Sequence, residues 1–203
     1  MNNSSSFRLE KVAEADFPSE FGDFRILGFR ATLDEGRIEE AVVLKMGDLS
    51  RPDPPLVRIH SQCLTGDVFH SLRCDCRAQL EIALETISGF GRGLLIYEHQ
   101  EGRGIGLLNK LRAYELQDAG ADTVEANERL GFESDLRSYV LPGAILRYFG
   151  LTSIRLLSNN PEKVRAVEDA GVTVVERVPC IADPLDTRAA YLRTKREKMG
   201  HLL

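Results

Sequence analysis

The 203-residue chain predicts an α/β fold, a mixed sheet flanked by helices with a strand-rich N-terminal part, on three observations. Short apolar runs separated by Gly, Asp and Pro fill the first third. A helical period begins near Arg77. Beyond it strands and helices alternate, which implies a sheet covered on both faces. Taken in order, residues 24–27, 41–44 and 56–59 read as strands of a small β layer spanning 7–64. Leu80, Ala83, Leu84 and Ile87 fall at i, i+3, i+4, i+7 and mark one helical face, ended by Gly89 and Gly91. Residues 93–97 read as a short buried strand, 107–119 as a helix stopped by Gly120, and 154–157 as another strand. Asn160 as cap and Pro161 at the first helical position start a helix reaching Ala170, and Gly171 separates it from a strand over 172–176. Residues 186–199 read as a charged, solvated terminal helix.

The length suits one domain, or one domain with an appendage. A 43% hydrophobic and 28% charged composition is that of an ordinary globular protein, which excludes the disordered and fibrous classes. A formal net charge of -5 argues against a general nucleic-acid binder, so an anionic small substrate would need a local basic cluster. The polar residues 1–6 read as a flexible N-terminus. They lack the features of a secretion signal, and no window approaches about 18 consecutive apolar residues; the expectation is a cytoplasmic protein without a membrane partner.

Three of the four cysteines crowd into one segment, as Cys63-x10-Cys74-x-Cys76, and this favours a metal site over disulfides. Three thiolates suit Zn(II) and leave a fourth position open for water, as catalytic zinc requires. A closed site with His70 or Cys180 as fourth ligand, or three buried thiols without metal, fits the spacing as well. A tris-thiolate zinc carries net negative charge and acidifies water less than a site built of neutral imidazoles. Nearby cations would offset this, and Arg73 and Arg77 flank the ligands.

Three longer motifs carry a resemblance: Arg58 to Asp67 (Arg-Ile-His-Ser-Gln-Cys-Leu-Thr-Gly-Asp), Arg73-Cys74-Asp75-Cys76, and Gln100 to Lys110 (Gln-Glu-Gly-Arg-Gly-Ile-Gly-Leu-Leu-Asn-Lys). With residues 122–127, Asp135, Arg137 and the run 156–163, they make the chain similar to the GTP cyclohydrolase II family from about residue 8 to the C-terminus. The resemblance implies one catalytic domain over 7–203 that hydrolyses GTP to 2,5-diamino-6-ribosylamino-4(3H)-pyrimidinone 5′-phosphate, formate and pyrophosphate. This is the first step of riboflavin biosynthesis, with zinc-activated water attacking guanine C8. It implies one Zn(II) per chain on Cys63, Cys74 and Cys76, Mg(II) with the triphosphate, and a homodimer. It also implies Asp135 as proton acceptor, Arg137 acting at the α-phosphorus and Tyr114 beside the ring-opening chemistry. Substrate contacts map to Arg58, Ile59, His60, Ser61 and Gln62, and to Gln79, Glu101, Gly102, Arg103, Thr123, Ser158 and Lys163. Taken alone, Tyr114 reads as a core residue on a helix face with Leu107 and Leu111, and Asp135 and Arg137 as solvated charges. Lys163 opposes its helix dipole, which makes sense if an anion shares that terminus. The family usually has Glu at Gln62, Gly at Arg77, an aromatic or other larger residue at Ala78 and Thr at Ser158; Ser158 keeps the hydroxyl, whereas Gln62 loses a charge in a nucleotide-contacting segment, so substrate affinity or base recognition is where this chain departs.

Overall fold

The apolar runs at 24–27 and 41–44 belong to the antiparallel half of one continuous sheet, whereas the run at 56–59 lies in its parallel half. The computed structural model describes residues 7–133, 135–182, 196, 200 and 202, apart from the side chains of Glu35 and Thr123. Seven strands, β1 (Arg8–Ser19), β2 (Gly22–Thr32), β3 (Ile38–Met46), β4 (Leu56–Ser61), β5 (Gly93–Glu98), β6 (Ser153–Leu157) and β7 (Thr173–Val178), lie in the order β1-β2-β3-β5-β4-β6-β7. β1, β2, β3 and β5 pair antiparallel, whereas β5, β4, β6 and β7 pair parallel. β1 has no counterpart among the expected strands: most of its side chains are exposed, so it leaves no buried apolar run.

The helices are α1 (Leu64–Asp67), α2 (Cys76–Phe90), α3 (Leu107–Asp118), α4 (Thr123–Arg129), α5 (Val140–Tyr148) and α6 (Pro161–Asp169). Period-two alternation divides the core between the two sheet faces. Val57, Ile59, Leu94 and Ile96 pack with Leu141, Ile145 and Leu146 of α5 and Val167 of α6. Leu56 and Leu95 pack on the other face with Ala83, Leu84 and Ile87 of α2, the predicted helical face. α2 runs through Gly89 and ends at Gly91, whose left-handed φ of 73° caps it and which a side chain would strain. α6 starts as expected, with the Asn160 side chain accepting the Glu162 N–H and Pro161 in the first turn. The expected terminal helix over 186–199 lies almost wholly outside the described residues.

The topology places the site. β4 is flanked by parallel β5 and β6, and the chain leaves its neighbourhood over opposite faces, through α2 and through α5. In open α/β sheets, ligands bind at the carboxyl ends of strands at such a switch point. The segments after β4, β5 and β6 are Gln62-Cys63, His99 to Arg103 and Ser158 to Asn160.

Candidate active site

One cavity opens at these strand ends, and its wall holds most of the expected residues. From β4 and the turn after it come Arg58, His60, Ser61, Gln62 and Cys63. α2 and the loop before it add Cys74, Cys76 and Gln79; the turn after β5 adds Glu101, Gly102 and Arg103. Tyr114, Arg137, Ser158 and Lys163 complete the set. Three expected residues stand apart. Ile59 points into the core and offers only backbone, Asp135 reaches the cavity through its ion pair with Arg137, and the Thr123 side chain lies outside the described residues.

The three thiols converge as a metal site requires. Their sulfurs lie within 4.8 Å of one another, and the Cys63 and Cys74 sulfurs are 3.6 Å apart. A tetrahedral centre with Zn–S bonds of about 2.3 Å separates its sulfurs by about 3.8 Å, so the donor set fits zinc. Gly66 makes room for it: a Cβ there would stand 2.8 Å from the Cys74 sulfur and 3.1 Å from that of Cys63. Neither alternative fourth ligand joins the cluster among the described residues. The buried Cys180 sulfur lies 3.4 Å from the Gln79 carbonyl, and His70 is exposed.

A buried carboxylate fixes Cys63. Asp67 accepts the Cys63 N–H at 3.0 Å and the Tyr97 hydroxyl at 2.8 Å, and its Oδ1 is 3.2 Å from His60 Nε2. The His60 ring stacks on Tyr97 at 5.4 Å. Burial pushes the His60 pKa down, which favours the neutral ring. Of the flanking arginines, Arg73 pairs with Asp118 at 2.7 Å and lies over the Tyr114 ring, whereas Arg77 bonds Glu81 and the Asp67 carbonyl. The cation nearest a thiolate is instead Lys110, with Nζ 3.1 Å from the Cys63 sulfur.

Cations gather around Ser61. Lys163 donates to the Ile59 carbonyl at 2.9 Å and to Ser61 Oγ at 3.4 Å, and Arg137 reaches the same hydroxyl at 3.5 Å. Both cations face the Tyr139 ring, at 5.5 and 5.7 Å from its centroid. Arg58 donates to the Leu157 carbonyl and to Gln79 Oε1. Burial, reinforced by the Arg58 and Arg137 charges, pushes the Lys163 pKa well below its usual value. An anion among these groups would relieve that stress. Asp135 and Arg137 are far from solvated, with side chains 14% and 12% exposed. Burial acts to raise the Asp135 pKa, but the Arg137 guanidinium outweighs it and holds the carboxyl below its ordinary range. Arg103 adopts a left-handed φ of 61°, rare for a side-chain-bearing residue and typical of strain kept at functional sites.

Behind Ser61, Glu98 is 1% exposed and its Oε2 has no hydrogen-bond partner. Burial pushes its pKa up to about 7, against the pull of Lys163 and Arg137. A folded pKa above the unfolded value gives stability that is full below the unfolded pKa and lost as pH rises through the folded one. Glu98→Gln should therefore gain stability relative to the parent as pH rises from about 5 toward 8, with a slope of up to about 1.4 kcal/mol per pH unit. Paired thermal melts over that range check this; a constant difference would contradict it.

Sequence reasoning gave no role to Lys110 and Asp67, which only end two of the motifs, and missed Tyr97 and Tyr139. Lys110 and Tyr114 stand at i, i+4, a spacing that puts them on one face of α3, but the sequence does not show what that face meets.

Comparison with known proteins agrees with this geometry. The family model for GTP cyclohydrolase II matches residues 10–179. The chain is 52% identical over 196 residues to the GTP cyclohydrolase-2 of Proteus mirabilis, covering 97% of each, and 54% identical over 192 residues to that of Azotobacter vinelandii, covering 95% of this chain and 91% of that one. It is also 49% identical over 195 residues to the riboflavin biosynthesis protein RibBA of Chlorobium phaeovibrioides, covering 96% of this chain and 47% of that longer protein. The matched residues include the cysteine cluster and the cation group that share the cavity, and the chain belongs to the GTP cyclohydrolase II family.

Proposed function

We propose that the chain hydrolyses GTP to 2,5-diamino-6-ribosylamino-4(3H)-pyrimidinone 5′-phosphate, formate and pyrophosphate, opening riboflavin biosynthesis, as a cytoplasmic homodimer. One observation carries the reading: a thiol cluster with the geometry to hold a metal and a group of cations border the same cavity. A nucleotide spanning it presents its purine to the thiols and its phosphates to Arg58, Arg137 and Lys163. Cys63, Cys74 and Cys76 would hold one Zn(II), which when bound supplies the Lewis acidity that activates water for hydrolysis at guanine C8. Mg(II) accompanies the triphosphate as part of the substrate.

The chain's own residues do the rest. Arg137 stays protonated, so its part at the α-phosphorus is to stabilise developing charge. When phosphate engages Arg137, the hold on Asp135 relaxes and its carboxylate becomes a better proton acceptor. Arg103 and Lys163 add positive charge for the triphosphate, and Gln62 and Gln79 offer amide groups to the base or ribose. The hydroxyl of Ser158 accepts the Asn160 N–H at 3.1 Å and shapes the loop after β6. Arg77, unusual for the family, turns away toward Glu81 and leaves the thiols undisturbed.

The test is product analysis after mixing purified protein, Zn(II), Mg(II) and GTP. Equal amounts of formate and pyrophosphate are expected; pyrophosphate without formate would mean that the ring stays closed. Tyr114 gives a sharper check. Its hydroxyl is 3.2 Å from Thr65 Oγ1, beside the metal loop. Tyr114→Phe keeps the ring under Arg73 and removes only that hydroxyl, so formate release should fall about a hundredfold or more with the melting temperature preserved. Parental formate release would remove Tyr114 from the chemistry.

A further inference from the structure

Three thiolates on a dication leave the centre with one net negative charge, which works against water activation. A cation hydrogen-bonded to a ligand sulfur would ease this, but the bonds of Arg73 and Arg77 run elsewhere, to Asp118 and to Glu81 and the Asp67 carbonyl. Lys110 does contact a ligand sulfur. Its side chain is 13% exposed, its Nζ lies 3.1 Å from the Cys63 sulfur, and its other bond runs to Glu101 Oε1 at 2.7 Å. Glu101 is itself anchored. It accepts the Leu64 N–H at 2.7 Å, one residue past Cys63, and the Gly102 N–H at 2.9 Å. The carboxylate therefore ties the metal loop, the turn after β5 and α3 together, and holds an ammonium that would otherwise extend toward solvent. With these bonds made, the Glu101 side chain is a support for Lys110 before it is a substrate contact.

We propose that Lys110 is a positioning residue of the metal centre, donating a charge-assisted hydrogen bond to the Cys63 thiolate while Glu101 holds it in place. The inference rests on the zinc reading above and adds a hydrogen-bond donor to one of its ligands. A hydrogen bond to a ligand sulfur stabilises the lone pairs that bind the metal. Sulfur-to-metal charge transfer then needs more energy. Loss of the ammonium should reverse this and weaken metal binding, because the Cys63 thiolate would lose the group that supports it from behind.

The experiment compares the metal-free parent with Lys110→Met, Lys110→Gln and Lys110→Arg after loading with Co(II), whose thiolate charge-transfer bands report the sulfur ligands. The parent should show these bands. Lys110→Met should move them to longer wavelength and bind Co(II) about ten- to a hundredfold more weakly in chelator competition. Lys110→Gln, which keeps a polar group without charge, should shift in the same direction, and Lys110→Arg should restore the parental bands. With Zn(II) and GTP, Lys110→Met should lower kcat more than it raises KM. Parental bands and Co(II) affinity in folded Lys110→Met would overturn the inference and leave the zinc reading standing, as would a change in KM alone, which would make Lys110 a substrate contact. If Lys110→Met does not fold, unshifted bands in Lys110→Gln overturn it. A parent without thiolate bands would remove the zinc reading and this inference with it.

Discussion

Cys74→Ser is expected to lose metal and formate production together while keeping part of its pyrophosphate release. The Cys74 sulfur lies 3.6 Å from that of Cys63, and the cluster offers three ligands and no fourth among the described residues. A serine hydroxyl is a poor replacement for a thiolate toward zinc. Changes behind a metal ligand already cost about ten- to a hundredfold in affinity or activity, so loss of a ligand itself should exceed that range. The fold should survive, because Cys74 lies in a loop and the Asp67 contacts that shape the turn after β4 do not involve it. The cations remain too: Lys163 is held by Ile59 and Ser61, and Arg137 by Asp135. Metal analysis with separate formate and pyrophosphate assays checks the outcome. A folded, zinc-free variant that binds GTP and releases neither product would show that the phosphate chemistry depends on the metal.

Arg137→Ala is the opposite experiment, and it should cut pyrophosphate release by about a hundredfold to a thousandfold, the usual cost of removing a well-placed electrostatic donor. Formate release should persist. Arg137 meets Ser61, which shares the α5 and α6 face of the sheet with Ile59, whereas the thiols gather at α1 and the start of α2, which packs on the other face. The two chemistries therefore draw on different elements of one cavity. The substitution also frees Asp135 from the guanidinium that lowers its pKa. Loss of both products from a folded variant would mean that the phosphate step precedes ring opening and is obligatory.

The local features of the chain were determined by the sequence itself. The α2 face, the Asn160-Pro161 start of α6 and the left-handed Gly91 that ends α2 depend on residues within a few positions of one another. The cysteine cluster was legible for the same reason, since its three thiols lie within one short segment, and the longer motifs pointed to the family. β1 was not legible, because an edge strand with mostly exposed side chains has no apolar alternation to detect.

Only the tertiary structure decided what surrounds each functional group. Lys110 meets Cys63 across 47 positions of sequence, and Lys163 meets the Ile59 carbonyl across 104. Such contacts follow from strand order, which places the ends of β4, β5 and β6 side by side. Burial decides the rest: it depresses Lys163, raises Glu98 and turns Asp135 and Arg137 from expected surface charges into a nearly buried pair. A charge's cost and purpose depend on its solvent and its partners, and neither is a property of the residue or its neighbours in the chain.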